Sequence, residues 1–119
     1  MVRRRGTIDR LQDILAAGED VLASAEPLDA AAFAMLPKND RLTYRALKNA
    51  FAEIGKAVKL LPLELLARHS EVDWRGWAGL HDIVSHRYSS LELSLLLPTI
   101  TEGLLVLLAV VKIELVLLS

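Results

Sequence analysis

Apolar residues recur along this chain at helical spacing, and proline and capping residues divide the pattern into segments. Ile8, Leu11, Ile14, Leu15, Val21, Leu22 and Ala25 follow a helical period, which predicts a first helix capped by Thr7 and ended by Pro27. Asp29 is placed to cap a short helical turn over Ala30–Met35, closed by Pro37. Asn39 or Asp40 opens a long helix whose stripe is Leu42, Leu47, Phe51, Ile54, Val58 and Leu61. Pro62 suits the first position of a short helix over Leu63–Arg68. Asp73 is an N-cap for a helix carrying Trp74, Trp77, Leu80 and Val84. Tyr88-Ser89-Ser90 interrupts the pattern, and helix returns at Leu91 or Pro98 and runs to the end. Sustained period-two alternation and Asn-Gly or Asp-Gly hairpin signals are absent. Four long helices and two short ones predict an all-α fold, an antiparallel up-and-down four-helix bundle, in one domain over residues 1–119.

The last segment, Leu91–Ser119, is rich in leucine and carries charge at Glu92, Glu102, Lys112 and Glu114. Its uncharged runs, Leu93–Thr101 and Gly103–Val111, are shorter than the roughly 20 apolar residues a membrane span needs. A helix apolar nearly all round is expected to be buried on two sides, inside the bundle and against a partner subunit. A homodimer or higher homo-oligomer, and no membrane, is therefore expected.

Cysteine is absent, which removes disulfides, thiolate zinc sites and cysteine nucleophiles together and fits a reducing cytoplasm. The net charge of -1 excludes a polyanion binder of the whole-surface kind. The one basic cluster, Arg3-Arg4-Arg5, reads as a solvated end or as an arm touching phosphate. No apolar run follows it, so it does not read as a signal peptide.

Polar groups concentrate in one stretch, Leu80-His81-Asp82-Ile83-Val84-Ser85-His86-Arg87-Tyr88. On a helix, Asp82 and His86 are four apart and share a face, so the carboxylate can fix the imidazole tautomer for acid–base work. His81 and Tyr88 share another face if the helix persists. His81 and His86 lie about 140° apart around the axis, a poor geometry for one metal ion, and no third ligand is evident. The stretch therefore predicts neither a metal nor a cofactor. Phosphate loops, dinucleotide fingerprints, nucleophile elbows and His-Glu-x-x-His are absent. Gly55 within the second long helix points to close helix packing there.

The runs Phe51-Ala52-Glu53-Ile54-Gly55-Lys56-Ala57, Leu65-Leu66-Ala67-Arg68-His69, Val72-Asp73-Trp74-Arg75, Ala78-Gly79-Leu80 and Ser85-His86-Arg87-Tyr88 have a further meaning. In this order and spacing the chain resembles the HepT-like proteins of the HEPN (higher eukaryotes and prokaryotes nucleotide-binding) superfamily, from about Thr7 to Val111. The resemblance implies an up-and-down bundle that dimerises, a metal-independent RNase toxin, and a minimal nucleotidyltransferase as its antitoxin. It also implies a signature of arginine, four residues, histidine, one residue and tyrosine, two copies of which meet in one composite site.

On that resemblance His86 matches the catalytic histidine, and Tyr88 the tyrosine to which the nucleotidyltransferase attaches AMP. Asp82 falls at a position that is usually polar. His81 stands where the arginine is expected, and Ser89-Ser90-Leu91 where Phe-Gly-Val is common. An arginine is always charged and presents a fixed fork of donors; a histidine is charged only when protonated. Arg75 and Arg87 are candidates for the missing charge. Two functions follow. One is an endoribonuclease acting on RNA, tRNA among its candidates, with His86 as general acid or base and His81 as phosphate stabiliser or complementary acid. The other is a catalytically degenerate HEPN dimer that binds its nucleotidyltransferase and a nucleotide.

Overall fold

The computed structural model describes residues 2–25, 28–85 and 90–119, and its side-chain description covers all of these except 2–5, 83, 85, 90–97 and 99. The described residues form an all-α bundle of six helices: α1 (Val2–Ala25), α2 (Ala30–Asn39), α3 (Arg41–Lys59), α4 (Leu63–Arg68), α5 (Trp74–Ser85) and α6 (Ser90–Leu118). No strand occurs among them.

The starts of the helices follow their caps. The Asp29 carboxylate accepts from Ala32 N–H at 2.7 Å, Asp40 from Thr43 N–H at 3.2 Å, and Asp73 from Gly76 N–H at 3.0 Å. α1 differs from expectation. It runs back to Val2, and Thr7 is a buried residue within the helix rather than its cap. The arginines before it are good helix formers, so the helix extends beyond the apolar stripe that announces it. Pro62 is the N-cap of α4 rather than its first residue. Pro37 lies inside α2 instead of closing it, and α6 begins at Ser90, next to the first of its two expected starts, Leu91, with Pro98 inside the helix.

α3 packs against α1, α5 and α2, and α6 against α1 and α2. Leu47, Phe51, Ile54 and Val58 of α3 join Leu11, Ile14 and Val21 of α1 and Leu104, Leu107 and Val111 of α6 in one core. Leu42, expected in the α3 stripe, is 79% exposed. Two glycines mark the closest helix contacts. A Cβ on Gly18 would meet Leu108 Cδ2 at 2.6 Å, which brings α1 onto α6. A Cβ on Gly55 would meet the backbone of α5 at 2.8 Å, at both Trp77 O and His81 N.

α6 has 29 residues, a length of about 43 Å, and the molecule extends 46 Å along its longest axis. One face of α6 enters the core. The opposite face keeps Leu105, Val106, Ile113, Val116 and Leu117 exposed. No helix among the described residues is long and apolar enough to cross a membrane.

Candidate active site

The polar stretch singled out in the sequence begins on the last turns of α5, next to α3. Gly55 sets the distance between these helices, because its missing side chain lets the α5 backbone at Trp77 and His81 come against α3. Gly55→Ala is expected to destabilise the fold by roughly 1–2 kcal/mol, an overpacking cost against rigid backbone partly offset by alanine's better helix propensity. A urea midpoint at or above that of the unaltered protein would show that the two helices separate freely.

One turn beyond Gly55, Lys59 ends α3 and reaches α5. Its Nζ lies 3.5 Å from Asp82 Oδ1, and the same oxygen lies 3.6 Å from His81 Nδ1. The Lys59 ammonium, followed by the adjoining His81 imidazole, holds the Asp82 carboxyl below the usual carboxylate range. His81 Nδ1 is buried and makes no hydrogen bond among the described residues. The side chains of Lys59, His81 and Asp82 are 43%, 40% and 60% exposed, so the group is open to a ligand from solvent.

Two of the expected site residues, His81 and Asp82, are thus brought together, with Lys59 as a member the sequence reading did not include. Its signal was available: Gly55 marks the close approach, and Lys59 stands one turn on along the same helix. His86, Arg87 and Tyr88 lie outside the described residues, so the expected Asp82–His86 and His81–Tyr88 pairings fall there too. Arg75 is exposed on α5.

A second polar cluster is far more buried. Glu114 on α6 is 1% exposed. Its carboxylate accepts from Arg68 Nη2 at 2.7 Å and faces His69 Nε2 at 2.6 Å, while Arg68 Nε reaches its other oxygen at 3.5 Å. Burial pushes the Glu114 carboxyl up, but hydrogen bonds from Arg68 and His69, with their charges, outweigh it and hold the group below the usual range. His69 Nδ1 lies 3.8 Å from Glu71 Oε2, so both ring nitrogens face carboxylates. An imidazole so enclosed presents no nitrogen to a substrate. The cluster instead fastens the end of α4 to α6. The Trp74 indole N–H then donates to the carbonyls of Leu66 at 3.1 Å and His69 at 2.9 Å. That bond fixes where α5, the helix carrying His81 and Asp82, begins.

The family model described as Ribonuclease HepT-like matches residues 7–113, which includes both clusters except Glu114. Two curated relatives are "Putative RNase TTE0752" of Caldanaerobacter subterraneus subsp. tengcongensis and "Putative RNase MJ0127" of Methanocaldococcus jannaschii. The first is 35% identical over 63 residues, 53% of this chain and 56% of the relative. The second is 37% identical over 49 residues, 41% of this chain and 40% of the relative. The matched stretches therefore span about half the length of these relatives. Among solved structures none matches significantly.

Proposed function

The chain belongs to the HepT-like ribonuclease family of the HEPN superfamily, and on that premise we propose that it is a metal-independent endoribonuclease toxin held silent by a nucleotidyltransferase antitoxin. The observation that carries this reading is the family match over residues 7–113, which contains the whole of the His81–Tyr88 stretch.

In this mechanism the His86 imidazole takes the proton of a ribose 2′-hydroxyl. The 2′-oxygen forms a bond to the adjacent phosphorus, the bond from phosphorus to the 5′-oxygen breaks, and that oxygen receives a proton from an acid of the site. The products are a 2′,3′-cyclic phosphate and a free 5′-hydroxyl. His81 is the complementary acid or a donor to the phosphate. Asp82, whose carboxyl is held below the usual range, lies beside it with Oδ1 3.6 Å from His81 Nδ1. Two copies of the chain form the composite site. The exposed apolar face of α6, with Leu105, Ile113, Val116 and Leu117, supports such an association because a surface of this kind is costly in water. Transfer of AMP from ATP to the Tyr88 oxygen, with release of pyrophosphate, closes the site.

The test is incubation of the purified protein, free of any partner, with total tRNA in EDTA. Cleavage to cyclic-phosphate ends is the expected result. Intact tRNA, together with unimpaired growth of cells expressing the protein alone, would remove the ribonuclease reading. One observation favours a second reading, a degenerate dimer that binds its nucleotidyltransferase without cutting: His81 stands in the arginine position with a buried, unbonded Nδ1. Under that reading the nucleotidyltransferase copurifies and RNA stays whole.

A further inference from the structure

We propose that Lys59, from α3, supplies the permanent positive charge that the scissile phosphate requires, acting across the helix interface in place of a cation on α5. The inference rests on the ribonuclease reading for its consequence in catalysis, but its geometry is independent of it.

Cleavage of a phosphodiester gathers negative charge on the non-bridging oxygens in the transition state. A group that keeps its charge throughout, aimed at that position, lowers the barrier most. On α5 the described residues do not meet this need: Arg75 keeps its charge but stands six residues before His81, about 9 Å along the helix axis and about 120° around it. An imidazole at position 81 carries charge only while protonated, and Asp82 is an anion. Lys59 meets it. Its Nζ lies 3.5 Å from Asp82 Oδ1, the oxygen that also faces His81 Nδ1, so the ammonium stands within one side-chain length of the imidazole.

The position follows from the backbone rather than from a chance rotamer. α3 and α5 touch at Gly55, and Lys59 is one turn further along α3. Neighbouring cations have other engagements. Arg68 is bound to Glu114, and Lys56 lines a groove with Arg10, Asp13 and Glu53 between α1 and α3. The Lys59–Asp82 pair is itself a weak hold. Both partners are substantially exposed, and such pairs are screened and contribute little. Asp82 therefore parks the ammonium beside His81 without preventing its transfer to a phosphodiester, which gains further negative charge on its non-bridging oxygens as the transition state forms.

The experiment compares the unaltered protein with Lys59→Ala and Lys59→Arg. It reads single-turnover cleavage of an RNA oligonucleotide, and, in parallel, binding of the same oligonucleotide made uncleavable by 2′-deoxy substitution, across a salt series. Lys59→Ala is expected to slow cleavage by roughly 10²-fold and to reduce the slope of log affinity against log salt by about 0.7, one single-strand phosphate contact. Lys59→Arg, which keeps the charge, is expected to restore both. A purely structural role for Lys59 would leave the salt slope alone. Cleavage at the normal rate in Lys59→Ala with an unchanged slope would overturn the inference while leaving the ribonuclease reading intact. If the unaltered protein does not cleave, that reading falls, and the binding arm decides alone: a slope that does not depend on Lys59 overturns the inference as well.

Discussion

His86→Ala is expected to lower RNA cleavage by about 10²–10⁴-fold, the usual contribution of a positioned general acid or base. Imidazole is suited to the role because its ordinary pKa, about 6.5, lies near working pH. It can accept the 2′-hydroxyl proton without a large energetic penalty, while the 5′-oxygen takes its proton from a separate acid of the site. Parallel melting curves separate chemistry from folding: activity lost at an unchanged midpoint assigns the effect to the imidazole. A His86→Ala protein that folds and cuts at the normal rate would remove His86 from the mechanism. The companion substitution His81→Arg is informative in the opposite direction. It places a permanent cation where the family expects one, next to Asp82, and should raise cleavage. If Lys59 already supplies that charge, the gain in His81→Arg is small in the unaltered background and large in Lys59→Ala. That dependence is the signature of two groups serving one phosphate.

Most of the bundle was readable because burial imposes a period. Leu47, Phe51, Ile54 and Val58 are spaced as one face of a helix and are buried as one face. Asp40 and Asp73 announced the helices that follow them and do cap them. The errors share a cause. Thr7 reads as a start because the apolar stripe begins there, but a helix needs backbone bonds, not a stripe, to continue to Val2. Leu42 lies about 140° around the helix from Leu47, off the face that Leu47, Phe51, Ile54 and Val58 share, and is exposed. The site divides in the same way. His81 and Asp82 are adjacent in sequence, so their proximity was legible. Lys59 joins them only through the crossing of α3 and α5, which a list of residue types does not contain. Glu114 is the strongest case. In a leucine-rich segment it reads as a charge breaking an apolar run, whereas the fold brings it partners from the end of α4.

Glu114→Ala is expected to destabilise the protein by about 3 kcal/mol, the lower end of the range for breaking a buried ion pair. The lower end applies because Arg68 is 51% exposed and recovers hydration when its partner is lost, whereas His69, at 12%, is left facing a cavity. Glu114→Gln keeps the volume and one acceptor oxygen, and should cost less. The pH dependence has a definite sign. The Glu114 carboxyl is held below its ordinary value of 4.5 in the folded protein. Its contribution is therefore complete above about that pH and is lost as pH falls through the lower, folded value. Urea midpoints measured from neutral pH downward should fall steeply below 4.5 for the unaltered protein, and less steeply for Glu114→Gln. Equal acid slopes in the two proteins would show that the carboxylate is not held by Arg68 and His69 in solution. The same variants test the route by which the cluster reaches the site. Because His69 and Leu66 carbonyls hold the Trp74 indole, loosening Glu114 should increase amide exchange at the start of α5 before it does so in α1, and should weaken cleavage under conditions where most of the protein is still folded. Exchange that rises uniformly along the chain would mean that the cluster stabilises the bundle as a whole and does not position α5.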